Sequence, residues 1–118
     1  MHGRFLLHIT TRSAWDKATS SGVYAPASLE VEGFVHLSEP DQVVRVANAR
    51  YSGGADLVLL CIDRARLGAP VKYEIGDPGS DERFPHLYGT IEIDAVVAVL
   101  DFRETAAGFE LPPGHDFE

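Results

Sequence analysis

Residues 32–38 read Glu-Gly-Phe-Val-His-Leu-Ser, an apolar run with a histidine in its middle. The run predicts a short buried strand, which Gly33 opens with a permissive backbone and Pro40 prevents from continuing in a central sheet. A polar, titratable ring inside such a strand needs a hydrogen-bond partner or a ligand. We therefore interpret this strand as one wall of a small cleft, and His36 as a candidate functional group.

The composition predicts one compact domain with little tendency to bind nucleic acid or anionic membranes. The chain has 118 residues, 45% of them hydrophobic, which is enough for one domain with its own core. We expect residues 1–110 to form this domain and residues 111–118 to be a loose C-terminal tail. Ten basic and eighteen acidic side chains give a net charge of −8, which disfavours non-specific binding to nucleic acid or to anionic membranes. A small molecule is the expected partner, and the oligomeric state stays open.

Two absences in the sequence indicate a cytoplasmic protein. No signal peptide is visible before the first apolar strand, and no run approaches the ~20 apolar residues that span a bilayer. The single Cys61 lies in an apolar strand, where a small buried hydrophobe is the favoured interpretation over a nucleophile.

The order of the elements predicts an α+β fold with a curved, mostly antiparallel sheet and two early helices. The first helix follows a cap at Thr11 or Ser13 and ends at Gly22. The second helix is expected to begin with Ser38 as its cap and to end after Tyr51. Residues 76–82 form a polar loop. Strands are predicted at residues 5–9, 34–37, 57–62, 71–75, 91–93 and 95–100.

Two histidines interrupt apolar strands in the same way. His8 and His36 are each followed, two residues later, by a hydroxyl residue, Thr10 and Ser38. Neighbouring strands in matched register would place both rings on one face, so we expect the two rings to face one cleft. The alternative for each is a core histidine whose nitrogens bond to the backbone or to a carboxylate.

Other polar residues near these strands are weaker candidates. Glu74 shares a strand face with Lys72, and a surface ion pair of little energetic value is the alternative interpretation. Tyrosines can line a pocket or complete the core, and an arginine can bind a phosphate or simply remain solvated. The candidate ligand-binding residues are Thr10, Arg12, Tyr24, Ser38, His86 (in a predicted loop) and Tyr88.

The chain resembles the bacterial family catalogued as domain of unknown function 952, over nearly all of its length except the tail. The motifs that carry the resemblance are His8-Ile9-Thr10, Gly22-Val23-Tyr24, Glu32-Gly33-Phe34-Val35-His36-Leu37-Ser38, Leu59-Leu60-Cys61-Ile62-Asp63 and Phe84-Pro85-His86-Leu87-Tyr88-Gly89.

Two of these motifs are also similar to the RNA 2′-phosphotransferase branch of the ADP-ribosyltransferase superfamily. They are His8-Ile9-Thr10 and Val35-His36-Leu37-Ser38, with a helix and a glycine turn between them. The similarity implies an ADP-ribosyltransferase-like split sheet around an NAD cleft. Ile9 stands where that branch has a glycine, and Phe34 where it has a first histidine. With the acidic charge, these departures argue against a nucleic-acid substrate.

The second resemblance also implies roles for individual residues. His8 would hold the NAD ribose, and His36 would stand in the second catalytic strand. Thr10 and Ser38 would border the ligand, and Glu74 would be the later-strand carboxylate that stabilises charge.

Three functional hypotheses follow. The first is an NAD-using ADP-ribosyl transferase or glycohydrolase, with His8, His36 and Glu74 as catalytic residues and NAD as substrate. The second is a non-catalytic module of the same fold that binds a nucleotide or another small anion and does not need Glu74. The third is a metal site built from the first two histidines, His86 and a carboxylate. It has no recognised ligand spacing, so we expect no metal.

Overall fold

The protein is an α+β domain, as the sequence predicts, and the computed structural model describes its residues 3–113. Antiparallel strand pairs dominate this range, and its helices are short. In chain order the elements are β1 Phe5–Thr11, α1 Arg12–Ser21, β2 Val23–Tyr24, α2 Ala27–Glu32, β3 Val35–His36, α3 Val43–Arg50, β4 Leu57–Asp63, β5 Val71–Ile75, β6 Arg83–Leu87, β7 Ile91–Glu92, β8 Val96–Asp101, β9 Glu104–Thr105 and β10 Gly108–Phe109.

The β structure is divided into separate antiparallel ladders. One sheet has the order β1-β4-β8 and another has the order β3-β6-β5, while β2 pairs with β7 and β9 with β10. All seven residues of β4 are buried, because this strand has neighbours on both sides; its first six side chains are hydrophobic, and the seventh, Asp63, pairs with Arg4. The two three-stranded sheets meet where Leu7 of β1 exchanges backbone hydrogen bonds of 2.9 and 2.8 Å with Ser38.

The first helix forms as predicted. The Thr11 hydroxyl accepts a hydrogen bond of 3.2 Å from the backbone N–H of Ala14, which satisfies one free donor of the first turn. Gly22 ends α1 in a left-handed conformation with φ of +94°. Trp15 and Ala18 lie on the buried face of the helix and pack into the core between the sheets.

A short helix that was not predicted from the sequence precedes β3. Residues 27–32 form α2, where the sequence predicts neither a helix nor a strand. Pro26 stands before the helix in an extended conformation, and Gly33 ends it with φ of +89°, the permissive backbone expected there. No residue of α2 is fully buried, so it lacks the apolar face that normally identifies a helix in a sequence.

The next helix begins later than predicted, and Ser38 is not its cap. α3 starts at Val43, whereas the backbone N–H and carbonyl of Ser38 are hydrogen-bonded to Leu7 of β1. Residues 39–42 form a turn in which the side-chain oxygen of Gln42 accepts a hydrogen bond of 3.0 Å from the N–H of Glu39. The position of β3 is therefore fixed at both ends, by the end of α2 at Gly33 before it and by this turn after it.

The chain after β8 packs against α3. Phe102 and Phe109 are buried with ring centroids 5.0 Å apart, and Asn48 of α3 accepts a 2.9 Å hydrogen bond from the N–H of Phe109. Leu111, the first residue of the predicted tail, packs against the same cluster. Residues 1–2 and 114–118, which include the rest of that tail, lie outside the described range. No helix within residues 3–113 has the length and apolar character needed to cross a membrane.

Candidate functional site

The strand partner of His36 is β6 rather than the strand that carries His8. In the β3–β6 ladder, His36 lies directly opposite His86, and their ring centroids are 5.4 Å apart. His86 therefore belongs to a strand, whereas the sequence placed it in a loop. Residues directly opposite each other on an antiparallel pair have their side chains on the same face. The register thus brings two imidazoles together that are far apart in the sequence.

A carboxylate and an aromatic ring fix the orientation of His86. Its Nδ1 lies 2.9 Å from Oε1 of Glu74 on β5, and the Phe34 ring stacks on it with centroids 4.0 Å apart. The hydroxyl of Tyr88 donates a 2.6 Å hydrogen bond to the same carboxylate oxygen. We call Phe34, His36, Glu74, His86 and Tyr88 the histidine cluster.

The hydrogen bonds determine how the protons are placed in this cluster. The hydrogen bond from Tyr88, followed by the one from His86, lowers the pKa of Glu74, so its carboxylate is ionised at neutral pH. An ionised carboxylate only accepts, so Nδ1 of His86 carries the proton of their shared hydrogen bond. Within residues 3–113, Nε2 of His86 makes no hydrogen bond and is the nitrogen that remains for a ligand.

His36 is the exposed member of the cluster. Its side chain is 54% exposed, and its Nε2 lies 3.0 Å from Oε2 of Glu32 at the end of α2. The strand turns this ring outward while the neighbouring Val35 points into the core, which is the alternation expected of a β-strand. The pair gives the site an accessible imidazole beside a carboxylate.

A cavity of about 590 Å³ opens beside the two histidines, between α3, β3 and the loop that joins β5 to β6. This volume lies within the range of known small-molecule sites. We call it the α3 cavity. Its lining residues with polar or charged side chains are Glu32, His36, Ser38, Arg45, Arg50, Tyr51, Asp77, Glu82 and His86.

His8 has a different environment, and the prediction that its ring shares a cleft with His36 is wrong. The residue is 8% exposed, its Nδ1 lies 2.7 Å from the backbone oxygen of His36, and its Nε2 lies 2.9 Å from the hydroxyl of Tyr24. It is absent from the lining of the α3 cavity. The registers explain the error, because β1 and β3 form no ladder and β3 pairs with β6 instead.

Burial keeps the His8 ring neutral. Desolvation is the largest cause that lowers the pKa of His8 to about 4, the hydrogen bond to the His36 carbonyl opposes it, and the His36 side chain adds a smaller lowering effect. A carbonyl only accepts, so Nδ1 of the neutral ring donates to it and Nε2 accepts from Tyr24. The Thr10 hydroxyl lies 2.9 Å from that of Tyr24 and extends the chain of hydrogen bonds. His8 thus holds the backbone of His36 in place.

The remaining candidates fall into separate places. Arg12 pairs with Asp101 of β8 at 2.5 Å and lines neither cavity described here. Thr10 and Tyr24 line a second, more open cavity of about 580 Å³ beside α1. Ser38 is buried at the wall of the α3 cavity. The six ligand-binding candidates therefore do not form one site.

Four charged residues of the α3 cavity were missed in the sequence. Arg45 and Arg50 were not singled out among the arginines, and Asp77 and Glu82 belong to the segment predicted only as a polar loop at residues 76–82. In the structure they form two ion pairs between residues that line the cavity, Arg45 with Glu82 and Arg50 with Asp77. No spacing in the sequence signals such pairs, since they join residues 37 and 27 positions apart.

The donor geometry gives little support to the metal hypothesis. Among residues 3–113, no group of three or more His, Cys, Asp or Glu side chains is placed to hold a metal ion. Both nitrogens of His8 already have hydrogen-bond partners, so it is not free to join the other two histidines as a ligand.

The fold and the site together define a small α+β domain with a histidine-lined cavity. The family model described as "Protein of unknown function (DUF952)" matches residues 9–99, and the chain belongs to this family. This confirms the first resemblance seen in the sequence.

Solved structures of one bacterial protein have the same fold. The crystal structure of protein CC0527 from Caulobacter crescentus is 33% identical, with a TM-score of 0.78 over 89% of this chain and 91% of that one. Its solution NMR structure is 31% identical, with a TM-score of 0.76 over 91% of each chain. A search among curated proteins finds no match.

Proposed function

We propose that the protein binds NAD in the α3 cavity and cleaves the bond between nicotinamide and ribose, with water or another nucleophile as acceptor. The observation that carries this proposal is His86, a lining residue of the cavity whose ring is oriented by Glu74 through Nδ1 and whose Nε2 makes no hydrogen bond within residues 3–113. A carboxylate that orients an imidazole through one nitrogen leaves the other nitrogen to act as a general base. The similarity to ADP-ribosyltransferases identified in the sequence supports NAD as the substrate. A cytoplasmic protein would have access to it.

The reaction requires charge stabilisation and one proton transfer. The C1′–N bond breaks, its electron pair leaves with neutral nicotinamide, and positive charge develops on the ribose. Water then attacks C1′ and loses a proton to the base. Glu32 lines the cavity beside His36 and is the carboxylate placed to stabilise the positive charge. Nε2 of His86 accepts the proton from the acceptor.

Two residues receive new roles under this proposal. Glu74 is absent from the residues that line the cavity, so it acts as a positioning residue through His86 rather than on the ribose itself. His8 is also a positioning residue, because its Nδ1 donates to the carbonyl of His36 and its ring is buried. His36, which is exposed at the cavity, contacts the substrate.

A nucleotide-binding module without catalysis is the second candidate function. The observation that favours it is the pair of arginines on α3, since cations at the wall of a cavity recognise phosphate whether or not a reaction follows. This candidate needs the cavity but not a base, so it predicts that NAD binds without release of nicotinamide.

The test is release of nicotinamide from millimolar NAD, measured by chromatography, with heat of binding measured in parallel. The variant His86→Asn keeps a donor for Glu74 and removes the base, and Glu32→Gln removes the carboxylate charge. Glu30→Gln, on the exposed side of the same short helix, is the matched control.

The outcomes separate the two candidates. We expect release by the unchanged protein and by the control, with a loss of at least about 100-fold in His86→Asn, the usual contribution of a general base. Binding without release would favour the second candidate. If NAD produces no heat of binding and no nicotinamide is released, both candidate functions are contradicted.

A further inference from the structure

We propose that Arg45 and Arg50 form a diphosphate-binding subsite in the α3 cavity, and that Glu82 and Asp77 hold these arginines until a diphosphate displaces the two carboxylates. The inference deepens the proposed function and rests on it for the identity of the natural substrate. It names the substrate class as diphosphate-linked nucleotides, in preference to nucleosides or monophosphates.

The helix places the two cations on either side of an apolar strip. An α-helix turns by about 100° per residue, so Val46 and Ala49 lie between Arg45 and Arg50 on the surface of α3. All four residues line the cavity. The two arginines are about 7.5 Å apart along the helix axis, a distance that their long side chains can close around two linked phosphates.

The ion pairs show that both guanidinium groups are already directed at oxygen ligands. Arg45 binds Glu82 with both terminal nitrogens, at 2.9 Å to Oε1 and 2.6 Å to Oε2. Arg50 binds Oδ1 of Asp77. The planar fork of a guanidinium matches phosphate oxygens in the same bidentate manner as carboxylate oxygens. The carboxylates therefore mark positions that phosphate oxygens can take.

These pairs are exposed enough to be exchanged. The side chains of Arg45 and Arg50 are 63% and 61% exposed, and Asp77 is 57% exposed. Exposed ion pairs contribute little to stability, whereas a diphosphate brings more negative charge to the same donors. Glu82 is held more firmly, since it is 32% exposed and Gln42 also donates to it at 3.2 Å.

The position of the subsite orients a dinucleotide in the cavity. The arginines lie on α3, while His36 and His86, which line the same cavity, lie on β3 and β6. A diphosphate held at α3 places the attached ribose towards the histidines. Both displaced carboxylates lie in the loop at residues 76–82, so binding breaks the two ion pairs that join this loop to α3.

The experiment measures binding of inorganic pyrophosphate and orthophosphate by calorimetry. In Asp77→Asn/Glu82→Gln the competing carboxylates are neutral, and we expect pyrophosphate to bind about three- to tenfold more tightly. In Arg45→Gln/Arg50→Gln we expect binding to weaken by at least about tenfold. The controls each remove one charge of the same sign outside the subsite: Asp81→Asn in the same loop, and Arg103→Gln, which is 86% exposed and absent from the lining of the cavity.

Each result decides one point. Pyrophosphate that binds equally well to all variants, or to none, overturns the subsite, and so does weaker binding after the carboxylates are neutralised. If the pyrophosphate results overturn the subsite but nicotinamide is still released from NAD, the proposed function holds without the subsite. The expected changes in pyrophosphate affinity without any nicotinamide release support the subsite and contradict the NAD reaction.

Discussion

Burial of His8 makes the stability of this protein sensitive to mildly acidic pH. The pKa of His8 is lowered from 6.5 to about 4 in the folded chain, chiefly by desolvation. The unfolded chain therefore binds the proton more readily, and stability that is complete above pH 6.5 is lost as the pH falls towards 4. Between pH 7.5 and 5.0 the loss is about 2 kcal/mol, since the slope approaches 1.36 kcal/mol per pH unit once the pH is below 6.5.

The pH window separates His8 from the carboxylates. Hydrogen bonds and arginine partners lower the pKa values of Asp63, Glu74, Glu82 and Glu104, so their contributions are present above the unfolded pKa values near 4 and are lost only below them. A decline in stability that begins near pH 6.5 and is large at pH 5.0 is thus expected from the histidine.

Urea unfolding followed by the fluorescence of Trp15, the single tryptophan, provides the assay. In His8→Asn, a donor to the His36 carbonyl is retained and the titrating ring is gone. The variant should be less stable at pH 7.5 but should lose about 2 kcal/mol less than the unchanged protein between pH 7.5 and 5.0. His36→Asn is the exposed control. Parallel stability curves for His8→Asn and the unchanged protein would refute the reasoning.

Three further predictions concern the framework of the site. Tyr73→Phe removes the hydroxyl that contacts Arg64 and Glu39, and should lower the free energy of unfolding by about 1–2 kcal/mol in urea titrations; an unchanged free energy of unfolding would mean that these contacts of the hydroxyl do not stabilise the fold. Gly108→Ala should cost more stability than Gly79→Ala, because both have positive φ but only the first would place a Cβ 2.8 Å from Asn48; equal costs would contradict the packing. Tyr88→Phe should raise the pKa of Glu74 towards its ordinary value, as followed by NMR of the carboxyl carbon, because the largest cause of its lowering is lost; an unchanged titration would contradict the proton placement.

The sequence predicted those elements whose signals are local. The Thr11 cap, the end of α1 at Gly22 and the buried strand β4 all follow from neighbouring residues, and each is found. α2 was missed because its six residues have no buried face, and the start of α3 was misplaced because Ser38 bonds to a distant strand. Long-range pairing overrode local preference in that case.

The candidate site was predicted in its residues but not in their grouping. His36 and His86 were both selected, yet only the β3–β6 register shows that they are neighbours. His8 was selected for the same reason as His36, a histidine inside an apolar strand, and the structure gives it the alternative role, a core ring with both nitrogens bonded. The pattern of hydrophobic residues cannot distinguish these two environments, because both strands are equally apolar.

An NMR titration of the imidazole signals with ADP-ribose, the product of the proposed reaction, tests most directly whether the α3 cavity binds a dinucleotide beside His36 and His86. We expect the ring signals of His36 and His86 to shift in a saturable manner and those of the buried His8 to change far less. Signals of His36 and His86 that stay in place at millimolar ADP-ribose would contradict the account.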